Sequence, residues 1–223
     1  MAHTDFVFRI GGEAGQGVES GGAGFSTAFT RAGLHVVAVP DYYSRIRGGH
    51  NFFSIRVSPK PIYGLIERVD ILIALTDETV ERHLHAMAEG SIIILDDQSK
   101  VSDEVIPTSV TLLRAPLNSI AEKHGAAVMA NTAALAVAAG LVDFDLTYLE
   151  GVVRDNFGSK GEAIVDANLA VLTDAYQWVK TQAAFDRTLK PQQSPKRIAC
   201  NGNQAFAMGA LTAGCKFVAA YPM

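Results

Sequence analysis

The chain alternates short apolar runs with longer stretches of helical spacing. Phe6-Val7-Phe8-Arg9-Ile10 is a β-type run that ends in Gly11-Gly12. Val18, Gly22, Phe25, Phe29 and Ala32 then recur at intervals of four and three, one face of a helix that Gly33 closes. Leu34 to Val39 (LHVVAV) reads as a second buried strand, ended by Pro40. Asn51 to Val57 (NFFSIRV) reads as a third, placed near a sheet edge by its alternating polar residues. Val69 to Leu75 (VDILIAL) has the continuous apolar character of a central strand. Glu78 to Ala88 reads as a helix, Ser91 to Leu95 as a fifth strand ending in Asp96-Asp97, and Val110 to Leu113 as a sixth. The pattern then turns helical. Asn131 to Leu141 is alanine-rich and small on every side, so it is expected to be buried, whereas Leu146 to Phe157 and Glu162 to Ala184 are amphipathic.

Apolar strands interleaved with helices predict an α/β fold: a Rossmann-like, mostly parallel sheet with helices on both faces, followed by a linker and the start of a second α/β domain. The link between the second and third strands is too short for a pure βαβ repeat, so one strand is expected to run antiparallel. Residues 1–185 form the first domain and 186–197 the linker, which includes the polar, proline-containing stretch TLKPQQSPKR. Residues 198–223 hold a small-residue helix, about Gln204 to Ala213, and a β-type run, Lys216 to Ala220. A lone helix and strand cannot bury their apolar faces, so this tail is expected to be an incomplete domain or to dock on a partner.

Composition narrows the functional classes. Apolar residues make up 48% and charged residues 19%, enough for a large core. A net charge of −4 with no long basic run argues against a nucleic-acid partner. Cys200 and Cys215 stand apart with no CxxC, which excludes a zinc ribbon or a cluster-binding set; they are expected to be core thiols. The N-terminus lacks a signal-peptide pattern and no run is long enough to span a membrane, so a cytoplasmic setting is expected.

The candidate chemistry lies in RIGGEAGQGVESGGAGF, Arg9 to Phe25, with seven glycines. A strand entering a glycine turn and then a helix offers free N–H groups and a favourable dipole to an anion. Gly12 to Gly17 supplies GxxxxG, but Val18-Glu19 follows where a P-loop needs lysine and a hydroxyl. The dinucleotide fingerprint fits imperfectly: after Gly15-Gln16-Gly17, Ser20 stands where the third glycine belongs. Asp41 follows the second strand, roughly where a ribose-binding carboxylate would sit. Glu19 opposes a phosphate. Gly21, Gly22 and Gly24 read as packing glycines, and Gly12, Gly15 and Gly17 as ligand-facing. Tyr42-Tyr43-Ser44-Arg45-Ile46-Arg47-Gly48-Gly49-His50 follows at the same sheet edge and can hold a phosphate-rich ligand or an acidic partner, or simply be solvated. Asn131-Thr132 either reaches a ligand or caps its helix. His83 and His85 are expected to diverge and form no metal pair, Asp96-Asp97 to serve a turn or cap, and Lys160 to be a surface residue. Three readings stay open on these residues: a stand-alone nicotinamide- or flavin-dependent oxidoreductase using Asp41, a nucleotide-binding module, and a component of a larger enzyme.

The glycine segment from Gly11 to Gly17, followed after a helix and strand by Tyr43-Ser44-Arg45-Ile46-Arg47-Gly48-Gly49 and by Ile55-Arg56-Val57-Ser58, resembles the gamma subunit or domain of 2-oxoacid:ferredoxin oxidoreductases. Ala14 stands where that family usually has glycine. Gly202-Asn203-Gln204-Ala205 and Ala220-Tyr221-Pro222-Met223 resemble the opening of the family's alpha domain, with Gln204 replacing an acidic residue. The resemblance implies a gamma domain at 1–185 of Rossmann-like type, a linker at 186–197 and the beginning of an alpha domain at 198–223, in the order of the fused large subunit of two-subunit enzymes. It implies CoA-dependent oxidative decarboxylation of a 2-oxoacid to acyl-CoA and CO2, or the reverse. Thiamine diphosphate, magnesium and iron–sulfur clusters would lie in partner domains or a beta subunit, with ferredoxin reached through the complex. No catalytic residue and no metal ligand is expected here. The resemblance assigns possible coenzyme A contacts to Gly12, Ala14, Gly15, Gln16, Gly17, Val18, Arg45, Arg47, Gly48 and Asn131, or else a role for this loop in packing against a neighbouring subunit.

Overall fold

The computed structural model describes residues 5–42, 49–182, 188–195 and 197–221. Six strands form one sheet: β1 (Phe6–Glu13), β2 (His35–Tyr42), β3 (His50–Ser58), β4 (Val69–Ala74), β5 (Met87–Asp96) and β6 (Val110–Ala115), in the order β2-β3-β1-β4-β5-β6. β1, β4, β5 and β6 are parallel neighbours, and β3 runs antiparallel to both β1 and β2. The mostly parallel α/β architecture with one reversed strand is therefore present.

The α-helices among the described residues are α1 (Val18–Arg31), α2 (Asp77–His83), α3 (Leu117–Lys123), α4 (Ala130–Leu141), α5 (Thr147–Phe157), α6 (Glu162–Gln182) and α7 (Gly202–Thr212). Alternation along the strands separates two apolar layers. Phe6, Phe8 and Ile10 of β1 and Ile71 and Ile73 of β4 meet α1 and the alanine-rich α4 on one face. Leu72, Ile93 and Leu95 meet Val80 of α2 on the other. The rings of Phe25 and Phe29, 4.3 Å apart, pack against Phe8 at 5.2 and 5.3 Å and fill the space beneath α1. α4 is small because it lies between the sheet and α6: a Cβ on Gly140 would meet Val179 Cγ1 at 2.3 Å.

Several expectations are corrected. β3 lies near the sheet edge as expected, but as the second strand, and the edge itself is β2. The apolar run LHVVAV accordingly lies in a half-exposed strand. Pro40 does not end it but pairs with Phe53 within it, since an edge strand has one side on which a missing N–H leaves no gap in the ladder. The helix expected over Glu78 to Ala88 stops at His83, and after a 3-10 turn β5 begins at Met87, four residues early, across a register shift between Val69 and Ile71. Lys216 to Ala220 forms no strand, and Cys200 and Cys215 are exposed rather than buried.

After α6, residues 188–195 and 197–201 form no helix or strand but are held down. Leu189 is 2% exposed and its N–H donates to the Val142 carbonyl at 2.7 Å. Gln192 N–H donates to Ala32 O at 2.7 Å, and Arg197 Nη1 to Gly33 O at 3.0 Å. α7 opens with a capping box in which Asn201 and Gln204 exchange two bonds of 2.9 Å. Glutamine serves there as well as an acidic residue. Phe206, Leu211, Phe217 and Tyr221 of this region are exposed. Among the described residues, no helix is long and apolar enough to cross a membrane.

Candidate functional site

β1 delivers the chain to the carboxyl edge of the sheet, where it turns into α1. Gly15 (φ 101°) and Gly17 (φ 78°) take left-handed conformations that L side chains rarely adopt, and Gly17 caps α1 without a side-chain bond. Asp143 is the one non-glycine with positive φ among the described residues, so Ala14 occupies an ordinary conformation and replaces a glycine at no backbone cost.

Four hydrogen bonds brace the turn. Gln16 Oε1 accepts from Glu13 N–H at 2.8 Å, and Gln16 N–H donates to Glu13 O at 3.1 Å. Ala14 N–H donates to Gly49 O at 2.9 Å, which ties the turn to the start of β3. Asn131 Nδ2 donates to Gln16 O at 3.3 Å, while its Oδ1 accepts from Thr132 N–H at 2.6 Å. Asn131 thus braces the turn from α4. Gly12 is closed in: a Cβ there would meet Gln16 Oε1 at 2.6 Å. Gly17 is also tight, with Asn131 Nδ2 at 2.2 Å from such a Cβ, whereas at Gly15 nothing lies within 4 Å. Gly15 is therefore the open point of the turn.

Two clefts flank it. One, of about 710 Å³, is lined by Glu13 to Gly15, Gly17 to Ser20, Pro40, Tyr42 and Asn51 to Phe53. The other, of about 330 Å³, lies between Gly15-Gln16, Leu75, Leu117, Val128 and Asn131. Glu13 and Glu19 both border the larger cleft, and Glu19 partly offsets the positive end of the α1 dipole. The guanidinium groups that sequence reasoning put here, Arg45 and Arg47, and Gly48 with them, lie outside the described residues. Gly12, Ala14, Gly15, Gln16, Gly17, Val18 and Asn131 come together at the turn.

Asp41 does not join them. Pro40 and Tyr42 line the larger cleft, so strand alternation turns Asp41 to the other face, where it is exposed. The ribose role that a nicotinamide-dependent reading gave it fails on this geometry. Asp96 caps and turns as expected, accepting from Gln98 N–H and from Asn118 N–H at 2.9 Å at the start of α3. Lys160 lies 5.1 Å from the Phe157 ring centre. Gly22 is a packing glycine against Phe53, and Gly24 a tighter-than-ordinary one against Val152, while Gly21 has room for a Cβ.

Sequence reasoning missed one polar cluster. His83 diverges from His85 as expected, but its Nε2 meets His50 Nε2 at 2.9 Å, with Arg9 Nη1 3.2 Å from its Nδ1. Burial, the first cause, and the charges of Arg9, His50, His85 and Arg82 lower the His83 pKa to about 3; burial also lowers that of His50. The period-two placement of His50, Phe52 and Ser54 on one face of β3 was the available signal. No group of three or more His, Cys, Asp or Glu able to hold a metal occurs among the described residues.

Comparison with known proteins adds to this geometry. Residues 7–178 match the family described as pyruvate ferredoxin/flavodoxin oxidoreductase. The ketoisovalerate oxidoreductase subunit VorA of Methanothermobacter thermautotrophicus is 30% identical over 175 residues, covering 77% of this chain and 36% of that protein. A solved 2-oxoglutarate:ferredoxin oxidoreductase from Magnetococcus marinus, with 2-oxoglutarate, coenzyme A and succinyl-CoA bound, superposes with a TM-score of 0.86 at 26% identity. It covers 95% of this chain and 37% of that chain. The gamma subunit of a keto/oxoacid ferredoxin oxidoreductase from Geobacter sulfurreducens shares the fold, with a TM-score of 0.67 at 20% identity, over 79% of this chain and 97% of its own. The chain spans between 36% and 40% of the length of the first curated relatives it matches.

Proposed function

The chain belongs to the pyruvate ferredoxin/flavodoxin oxidoreductase family, and from that premise we propose that it is the gamma-type region of a 2-oxoacid:ferredoxin oxidoreductase whose glycine turn receives coenzyme A. Residues 1–185 are the gamma-type domain, 186–197 the connection and 198–223 the opening segment of the alpha-type domain. The whole enzyme converts a 2-oxoacid and coenzyme A to acyl-CoA and CO2, passing two electrons to ferredoxin, or runs in reverse. Coenzyme A supplies, when bound, the thiol that carries the acyl group. Thiamine diphosphate, magnesium and the iron–sulfur clusters belong to the alpha and beta portions, and the beta subunit and ferredoxin are the partners. A cytoplasmic setting is part of the same proposal.

The observation that carries this reading is the open space at Gly15, on a turn whose other sides are closed by Gln16, Gly49 and Asn131. A braced turn with one open face presents N–H groups to an anion without having to rearrange. Coenzyme A in the Magnetococcus marinus relative supports the choice of ligand. This chain's part is to bind and orient the phosphates; Arg45, Arg47 and Gly48 are assigned to the same ligand.

A test is coenzyme A binding by calorimetry on the enzyme complex that contains this chain. Gly15→Val places a branched side chain in the open space and is expected to weaken binding by about tenfold or more, a change of ~1.4 kcal/mol. Its KM for the 2-oxoacid should stay as in the parent. Unchanged coenzyme A affinity, together with weakened assembly of the complex, would instead assign the turn to subunit packing, the role that Glu13 and Glu19 favour.

A further inference from the structure

The layer between the sheet and α2 holds a pair of facing imidazoles that no part of the reaction accounts for. His50 opens β3 and His83 ends α2, and both are 3% exposed. Their Nε2 atoms are 2.9 Å apart. Arg9 of β1 continues the chain of contacts, its Nε donating to Ser54 Oγ at 3.0 Å and its Nη1 lying 3.2 Å from His83 Nδ1. A guanidinium can only donate. His83 Nδ1 therefore accepts, its ring proton sits on Nε2, and that N–H donates to His50 Nε2. The three side chains form a directed relay, Arg9 to His83 to His50, with a single arrangement of protons. A further proton on His83 would displace Arg9, and one on His50 Nε2 would displace His83.

The surroundings favour this neutral arrangement. Phe52 lies under Arg9, 5.0 Å from its guanidinium carbon, and edge-on to His83 at 4.6 Å. The charged and titratable groups that act on the pair are Arg9 from β1, Glu78 and Arg82 from α2, and His85 from the turn after it. Glu78 and Arg82 are ion-paired at 2.7 Å, so the one carboxylate is already engaged.

The pair adjoins the anchor of the glycine turn. Gly49, next to His50, gives its carbonyl to Ala14 N–H at 2.9 Å. α2 touches the same strand end from the other side: a Cβ on Gly11 would meet Thr79 Cγ2 at 2.4 Å and His50 Cε1 at 3.3 Å. We propose that His83 is a positioning residue for the glycine turn, holding His50 so that the Gly49 carbonyl stays in register with Ala14 N–H. His83 touches no ligand; it acts through His50 and Gly49. That the turn's shape matters for coenzyme A rests on the function proposed above.

Two readouts on the enzyme complex separate the two claims: backbone hydrogen exchange in the segment 11–19, and coenzyme A affinity by calorimetry. His83→Leu removes both hydrogen bonds, and His83→Asn keeps a polar group but cannot reach His50; Asn serves if Leu does not fold. Either is expected to raise exchange in 11–19 by about tenfold, without change in β5 and β6, and to raise Kd and KM for coenzyme A with kcat and KM for the 2-oxoacid held. His83→Gln can accept from Arg9 with its carbonyl oxygen and donate to His50 with its amide, and should restore both readouts. Exchange in 11–19 that stays at the parental level in Leu and Asn variants overturns the proposal. Raised exchange with unchanged coenzyme A affinity, in these variants and in Gly15→Val, upholds the positioning role and overturns coenzyme A as the ligand.

Discussion

The ring of Phe53 occupies the place of a side chain on Gly22: a Cβ there would lie 2.3 Å from Phe53 Cγ and 2.8 Å from its Cβ. β3 and α1 approach this closely because α1 carries no side chain at the crossing. Three residues of the same helix then respond differently to alanine. Gly22→Ala must push Phe53 or the helix aside and is expected to destabilise by about 1–3 kcal/mol. Gly24→Ala meets Val152 Cγ1 at 3.1 Å and should cost less. Gly21→Ala meets only Leu135 Cδ1 at 3.5 Å and should stabilise by up to ~1 kcal/mol through helix propensity. Urea denaturation of the three variants checks the order, and a loss of stability at Gly21→Ala would contradict it.

Gly15 and Gly17 separate backbone strain from crowding. Both have positive φ, so alanine at either costs roughly 1–2 kcal/mol in conformation alone. At Gly15 the cost stops there, because the space is empty. At Gly17 the added methyl meets Asn131 Nδ2 at 2.2 Å and breaks the brace to Gln16. Gly17→Ala should therefore lower Tm further than Gly15→Ala. Combining Gly17→Ala with Asn131→Ala should recover part of the difference, read as a coupling energy in a double-mutant cycle.

The central strands and the buried helix were legible because burial on two faces leaves a continuous apolar run, as in Ile71 to Ala74 and in most of α4. The glycine turn was legible because glycine clusters have few other uses. What sequence could not carry was strand order. LHVVAV has the composition of a buried strand, yet β2 lies at the edge, outside the alternating NFFSIRV of β3. On β3, Ser54 bonds Arg9 and His50 meets His83, the latter a pairing of residues 33 apart in the chain. Asp41 failed for the same reason: its distance in sequence from Gly17 suited a ribose contact, but the face it points to is set by strand register.

The segment after α6 is a strap rather than a free linker. A Cβ on Gly33 (φ 79°) would meet the Gln192 carbonyl at 2.2 Å, so Gly33→Val cannot coexist with the bond from Gln192 N–H to Ala32 O. This variant is expected to release residues 189–197 while α1 stays folded. Limited proteolysis should cut the strap several times faster than in the parent. Leu189→Ala empties a buried position and should do the same, at a cost of about 2 kcal/mol or more. Equal cleavage rates would mean that the anchors are too weak to matter.

The histidine pair makes stability depend on pH with a defined sign. His83 has a folded pKa of about 3 against an ordinary 6.5, so between those values the unfolded chain binds a proton that the folded chain refuses. Stability is therefore full above about pH 6.5, falls as pH drops, and stops falling on this account near pH 3. By pH 4 the loss from His83 alone is roughly 3 kcal/mol. The Asp174 carboxyl, held below its usual range by hydrogen bonds from Lys123 and His124, acts in the same direction, so a single pH profile does not isolate the pair. The difference between the parent and His83→Gln does: the variant has nothing to protonate at that position, so parent stability minus variant stability should fall by roughly 3 kcal/mol as pH drops from about 7 to about 4. Coenzyme A affinity should stay flat between about pH 8 and pH 6 as far as His83 is concerned, because its folded ring keeps the same proton throughout that range. Parallel stability curves for parent and variant would show that His83 protonates freely in the folded state, and that the relay from Arg9 does not hold it neutral.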